Sequence, residues 1–254
     1  MNSRHSKLAV LSLAGVLLLS SCSHLLLNTK DQERAKIYLQ RAAEEFNNRE
    51  YGKAIDSAQT AIKYDPSFAA AYNHLALVYM ETKRYAKSEE AFKKALEVQP
   101  EYPEVFNNLG VLLSREEKYQ EAISYLKKAI ADEHYMTPEN AYTNMGYAYY
   151  RLGNLGLAKT YHQRALDITP QFCLASKNMG DVYARERNFS KASDYFQRAV
   201  TNCPLYQEAR YKLGLVLMKM GQKTVARTQL EQLVTRHKTG PYVERSNEVL
   251  KYLH

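Results

Sequence analysis

Residues 139–172 read ENAYTNMGYAYYRLGNLGLAKTYHQRALDITPQF, and residues 173–206 read CLASKNMGDVYARERNFSKASDYFQRAVTNCPLY. Laid one on the other, they match at Asn144 and Asn178, Met145 and Met179, Gly146 and Gly180, Tyr149 and Tyr183, and Arg151 and Arg185. The match continues at Ala158 and Ala192, Ala165 and Ala199, and Pro170 and Pro204. The same 34-residue offset separates Pro66 from Pro100, and Pro100 stands two periods plus two residues before Pro170. Self-similarity at a fixed period of this size marks a chain built by stacking one supersecondary unit.

Extending the alignment fills whole columns. Tyr72, Phe106 and Tyr142 hold an early aromatic position, and Leu75, Leu109, Met145, Met179 and Leu213 follow three residues later. Beside these stand Ala76, Gly110, Gly146, Gly180 and Gly214, and Tyr79, Leu113, Tyr149, Tyr183 and Leu217 complete the stripe. A second stripe runs through Ala122, Ala158, Ala192 and Ala226, then Phe92, Leu126, His162, Phe196 and Leu230, then Ala95, Ala129, Ala165 and Ala199. Spacings of three and four place each stripe on one face of a helix. The small residues suit the close approach of two helices in a hairpin, and the large ones fill the gap to the next hairpin. Proline after the second helix ends it and turns the chain.

This pattern resembles the tetratricopeptide-repeat (TPR) family over about residues 35–236. The resemblance implies an all-α superhelical solenoid of about six helical-hairpin repeats, at 35–68, 69–102, 103–138, 139–172, 173–206 and 207–239. Residues 240–254 carry Val249, Leu250 and Leu253 on one side and read as the capping helix that a solenoid needs. Several positions depart from the pattern. Arg41 and Glu45 stand at expected apolar places, Ser88 replaces the usual Ala, and Lys223 takes an aromatic position. The third repeat has two extra residues in 132–138 and lacks its closing proline.

Composition agrees with a folded helical chain. Of 254 residues, 45% are apolar and 24% charged, and with only 10 Gly and 7 Pro a turn-rich β fold is disfavoured. The net charge of +8 raises nucleic acid as a partner. No Lys/Arg block stands out, however, and the start of the chain directs it out of the cytoplasm, so no nucleic-acid partner is expected.

That start has three parts. Arg4 and Lys7 form a positive region without acids, residues 8–19 (LAVLSLAGVLLL) are apolar, and Leu19-Ser20-Ser21-Cys22 follows. The order is that of a secretory signal peptide, and the apolar run is short for a membrane span. L-S-S-C resembles the lipobox of bacterial lipoproteins. The resemblance implies removal of residues 1–21 and acylation of Cys22, with residues 22–34 as lipidated N-terminus and tether. The alternative is an ordinary secretory signal with an incidental Cys. Ser23, not Asp, follows Cys22, which by the lipoprotein sorting rule implies the outer membrane.

Catalytic and metal motifs are missing from the sequence. No HExxH, GxSxG, Walker A loop or GxGxxG occurs, and no His pairs with Cys at metal spacing. We therefore expect no enzyme, cofactor, metal or small-molecule substrate, and His162 reads as core filler. A catalytic site would break the repeat columns with clustered polar residues. Cys173 opens the first helix of the fifth repeat and Cys203 closes its second. In an antiparallel hairpin those ends meet, which predicts a disulfide in an oxidising compartment; two separate thiols are the alternative.

The first helices of stacked hairpins line a concave groove. Asn108, Asn144 and Asn178 form a ladder there, and Asn side chains can satisfy both the N–H and the C=O of an extended peptide. Arg115, Arg151, Arg185 and Lys219 form a basic column that suits carboxylates, or that serves only as a solvated rim. Asn107, Tyr147, Lys177, Asp181 and Tyr211 are further groove candidates.

The lipobox, the almost immediate entry to repeats, the length and the late Cys pair are similar to the type IV pilus pilotins (the PilF, PilW and Tgl type). This resemblance implies a protein-binding outer-membrane lipoprotein that binds secretin subunits and promotes their delivery and oligomerisation, so that the pilus exits through the ring. The alternative is a cell-envelope adaptor that docks cell-wall hydrolases or outer-membrane assembly factors.

Overall fold

A computed structural model describes residues 29–253. The leader, the lipobox with Cys22, and Ser23 lie outside these residues. The described residues form thirteen helices and no strand, an all-helical TPR solenoid. The chain divides into two compact units, one ending at Val105 and the other beginning at Phe106.

The first unit holds α1 (residues 29–47), α2 (Tyr51–Tyr64), α3 (Ala69–Glu81) and α4 (Tyr85–Val98). The tether expected at 22–34 is already helical from residue 29. Asp31 and Glu33 suit the positive end of a helix, and Arg34 pairs with Asp31 at 3.1 Å. Two of the irregular polar residues are satisfied inside this unit. Ser88 is fully buried and its hydroxyl donates to the Ala76 carbonyl at 2.8 Å. Buried Glu45 accepts from Ser57 Oγ at 2.7 Å and from Arg41 Nε at 2.9 Å. Burial pushes this carboxyl up, but the bonds from Ser57 and Arg41 outweigh it and hold its pKa below the usual value.

The second unit holds α5 (Pro103–Arg115), whose first residues fall at the boundary, then α6 (Tyr119–Ala131), α7 (Pro138–Arg151), α8 (Leu155–Ile168) and α9 (Cys173–Arg185). It continues through α10 (Phe189–Asn202), α11 (Gln207–Lys219), α12 (Lys223–Arg236) and α13 (Pro241–Leu250). Its core is made from the column residues: Leu126, Ala129 and Met145 in one cluster, Phe196, Leu213 and Leu217 in another. The extra residues between α6 and α7 carry Tyr135 into the first cluster, where it is 6% exposed. Lys223 is exposed where Tyr119 buries its ring, so the aromatic is dispensable at that place. The buried face of the last helix differs from the expected one. Val243 and Ser246 are buried on α13 and Leu253 follows it into the core, while Val249 and Leu250 are only half-buried.

One turn joins the helices within every hairpin. Arg49, Lys83, Glu117, Gly153, Arg187 and Gly221 all have φ between 59° and 82°, the left-handed region. At Lys83 the amide donates to the Met80 carbonyl and the next amide, of Arg84, to the Tyr79 carbonyl. This is the Schellman pattern, which satisfies the last carbonyls of a helix. The residue after the left-handed one then caps the second helix. Asn154 and Asn188 accept from the amides of Leu157 and Lys191 at 3.1 and 3.2 Å. Between hairpins, Asp65, Gln99, Thr169 and Cys203 end their helices with φ between −137° and −126° and ψ between 80° and 93°. Each precedes a proline, which pushes its neighbour out of the helical region.

Candidate protein-binding groove

The candidate groove residues all fall in the second unit, on α5, α7, α9 and α11. The Asn ladder is cross-linked. Asn144 Nδ2 donates to Asn107 Oδ1 at 2.9 Å, and Asn107 Nδ2 reaches Asn108 Oδ1 at 3.5 Å. The contact between repeats therefore runs through Asn107. Asn178 is 7% exposed and Lys177 is 8% exposed. Both support the groove from beneath more than they line it.

Two members of the basic column bind the preceding repeat. Arg151 donates to Tyr147 Oη at 2.8 Å and to Glu117 Oε1 at 3.3 Å, and its guanidinium lies 5.0 Å from the centre of the Tyr119 ring. Arg185 donates to the Tyr150 carbonyl at 2.7 Å, at the C-terminal end of α7, where a cation is favoured by the helix dipole. Arg115 is engaged as well. Lys219 is exposed and, among the described residues, meets no acid or carbonyl.

Lys177 and Asp181 belong to a network that the sequence reading did not anticipate. Lys212 Nζ stands 2.7 Å from Asp181 Oδ1 and 2.8 Å from Glu208 Oε1. Lys177 Nζ lies 3.4 Å from Asp181 Oδ2 and 3.3 Å from Glu208 Oε1. Two cations and two anions thus alternate across α9 and α11. Burial lowers the Lys212 pKa, but Asp181 and Glu208 outweigh it and hold the ammonium above the ordinary lysine range. Burial raises the Glu208 pKa, and Lys212 and Lys177 bring it below the usual value. The 208/212 spacing of four was a visible signal for half of this network.

Next to the network an open cleft of about 500 Å³ lies between α9 and α11. Asp181, Lys212 and Lys219 rim it, and Ala184, Phe196, Leu215, Val216 and Met218 make its apolar lining. Leu215 follows Asp181 by one repeat and Met218 follows Ala184 by one, so these lining residues were within reach of the column argument. Tyr211 instead packs against Tyr242 of α13, ring centres 5.6 Å apart. Cys173 and Cys203 are joined by a disulfide, with Cα atoms 6.2 Å apart. Among the described residues no helix is long and apolar enough to cross a membrane, and no three His, Cys, Asp or Glu side chains gather as a metal site.

The hairpins, their shared turn and the groove of first helices define the class: a TPR solenoid, a scaffold for protein–protein contact. Tetratricopeptide-repeat models match residues 67–132, 139–172 and 208–239. Among solved structures, the chain is similar to PilW, described as a widely conserved type IV pilus biogenesis factor. The identity is 28% over 83% of this chain and 97% of that one, with a TM-score of 0.74. It shares its fold with PilF of Pseudomonas aeruginosa at 20% identity, covering 86% and 99% of the two chains, with a TM-score of 0.71. It is also similar to YrrB, described as a TPR protein with an unusual peptide-binding site, at 25% identity over 71% and 92%, with a TM-score of 0.51. No curated protein matches by sequence.

Proposed function

We propose that this chain is a pilotin: a lipoprotein, acylated at Cys22 and held in the outer membrane, that binds secretin subunits and promotes their assembly into the type IV pilus exit ring. The observation that carries the reading is the likeness to PilW, which extends over nearly the whole of that pilus biogenesis factor. The lipobox pattern at Cys22 supports the anchor, because several acyl chains on one residue exceed what stable membrane attachment requires. The groove of the second unit supports the grip: it offers polar rungs for a peptide backbone and an apolar cleft for a side chain. Lipid supplies location and the groove supplies hold on a subunit that would otherwise aggregate.

The test is deletion of the gene in its host, followed by counting surface pili and secretin multimers in outer-membrane fractions. Both are expected to fall sharply and to return with the wild-type chain. A Cys22→Ala chain is expected to lose palmitate labelling and to restore neither. Unchanged multimers and pili in the deletion strain overturn the reading.

A further inference from the structure

We infer that the cleft between α9 and α11 takes an internal, extended stretch of a partner protein in which a large apolar side chain stands close to an acidic one, and that Lys219 reads the acid. The inference rests on the groove's being a protein-binding surface.

The lining argues for the apolar side chain. Phe196, Leu215, Val216 and Met218 offer a floor without a hydrogen-bonding group, in a cleft of about 500 Å³. The charges argue for the acid. Lys177 and Lys212 are matched by Asp181 and Glu208 at 2.7–3.4 Å, so that network is internally neutral. Arg185 and Arg151, one and two repeats earlier in the basic column, are bound to the preceding hairpins. Lys219 holds the same repeat position, is exposed, and meets no acid or carbonyl among the described residues. A single unmatched ammonium therefore stands at the lip of an apolar floor. One charge suits one side-chain carboxylate, and the open cleft lets a chain run through without ending there.

The probe is a phage-displayed library of random peptides twelve residues long, selected on the full mature chain. Selected peptides are expected to carry Leu, Ile, Met or Phe with Asp or Glu within two positions on one side of it. A fluorescent copy of one such peptide should bind Lys219→Ala about fivefold more weakly, the scale of an exposed ion pair, and Lys219→Glu more weakly still. Replacing the peptide's acid by Lys should restore binding to Lys219→Glu, and added salt should weaken only the acid-bearing peptide. A consensus without an acid, or binding indifferent to the charge swap, overturns this inference while leaving the groove a protein-binding surface. A selection that yields no groove-dependent peptide, judged by loss of binding in Leu215→Ala, counts against that broader reading and this one together.

Discussion

A Cβ placed on Gly146 would lie 2.5 Å from the imidazole of His162. The same close approach recurs between Gly110 and Leu126 at 2.5 Å, Gly180 and Phe196 at 2.6 Å, and Gly214 and Leu230 at 2.7 Å. Glycine in this column lets a large side chain of the second helix rest on the backbone of the first. Interiors packed this densely have no room for an added methyl. Gly110→Ala and Gly180→Ala are expected to lower stability by about 1–3 kcal/mol, the usual cost of overpacking. Gly52 is the control: it lies near the start of α2 with nothing within 4 Å of a built Cβ. Gly52→Ala should raise stability by about 0.5 kcal/mol through helix propensity alone. Urea unfolding of the three variants checks all three signs.

His162 is the polar member of an otherwise apolar column. It is fully buried, and neither ring nitrogen has a hydrogen-bond partner. Burial lowers its pKa from 6.5 to about 3, with a smaller push from Lys177. Between those values the unfolded chain binds a proton that the folded chain refuses. Stability is therefore complete above pH 6.5 and declines as pH falls, by up to about 1.4 kcal/mol per unit from this residue. His162→Leu should remove that share of the slope. It should also stabilise the protein near neutrality by about 1–2 kcal/mol, since an unsatisfied buried polar group is lost. Leu126 already fills the same position over Gly110, so the shape is tolerated. Urea midpoints from pH 4 to 8 for both chains decide the matter; parallel curves sink it.

The hairpin turn makes a third test. Lys83 and Arg187 sit at φ 59° and 60° with exposed side chains, where Gly153 and Gly221 occupy the equivalent places at φ 82° and 77°. A side chain in this region costs about 1–2 kcal/mol, partly offset by glycine's greater freedom when unfolded. Lys83→Gly and Arg187→Gly should each add about 0.5 kcal/mol. Gly221→Ala, which meets nothing within 4 Å, should cost about 1 kcal/mol through the backbone alone. Thermal melts of the single variants would read these as shifts of opposite sign.

These turns also show where sequence reading stops. The Gly, Ala and large-residue columns are legible because close packing restricts the residue type at each place, as at Gly180 against Phe196. The left-handed position is not, because Arg, Lys, Glu and Gly all occupy it and the packed hairpin imposes the conformation. The groove divides in the same way. Lys219 was visible as a column member and Glu208 and Lys212 as an i,i+4 pair, but their joining to Asp181 and Lys177 emerges only when α9 and α11 lie side by side. Arg151 and Arg185 looked available to a ligand until their partners from the preceding hairpin, the Glu117 carboxylate and the Tyr150 carbonyl, came into place.

The Cys173–Cys203 bridge ties the first residue of α9 to the end of α10 across 30 residues of sequence. Both helices are packed over their length by column residues such as Met179, Ala192 and Phe196, so the bridge is not needed to form the hairpin. Its contribution lies in the unfolded chain, where it closes a loop. A closed loop of this size is worth about 3.5 kcal/mol in the chain-entropy model. The double variant Cys173→Ser, Cys203→Ser should keep its helical circular dichroism at 25 °C and unfold at a lower urea concentration. Its dependence on urea should also be steeper, because an uncrosslinked chain exposes more surface. Treating the wild-type protein with dithiothreitol should reproduce the shift and leave the variant unmoved. A reduced protein with an unaltered midpoint would show that the bridge does not constrain the unfolded ensemble.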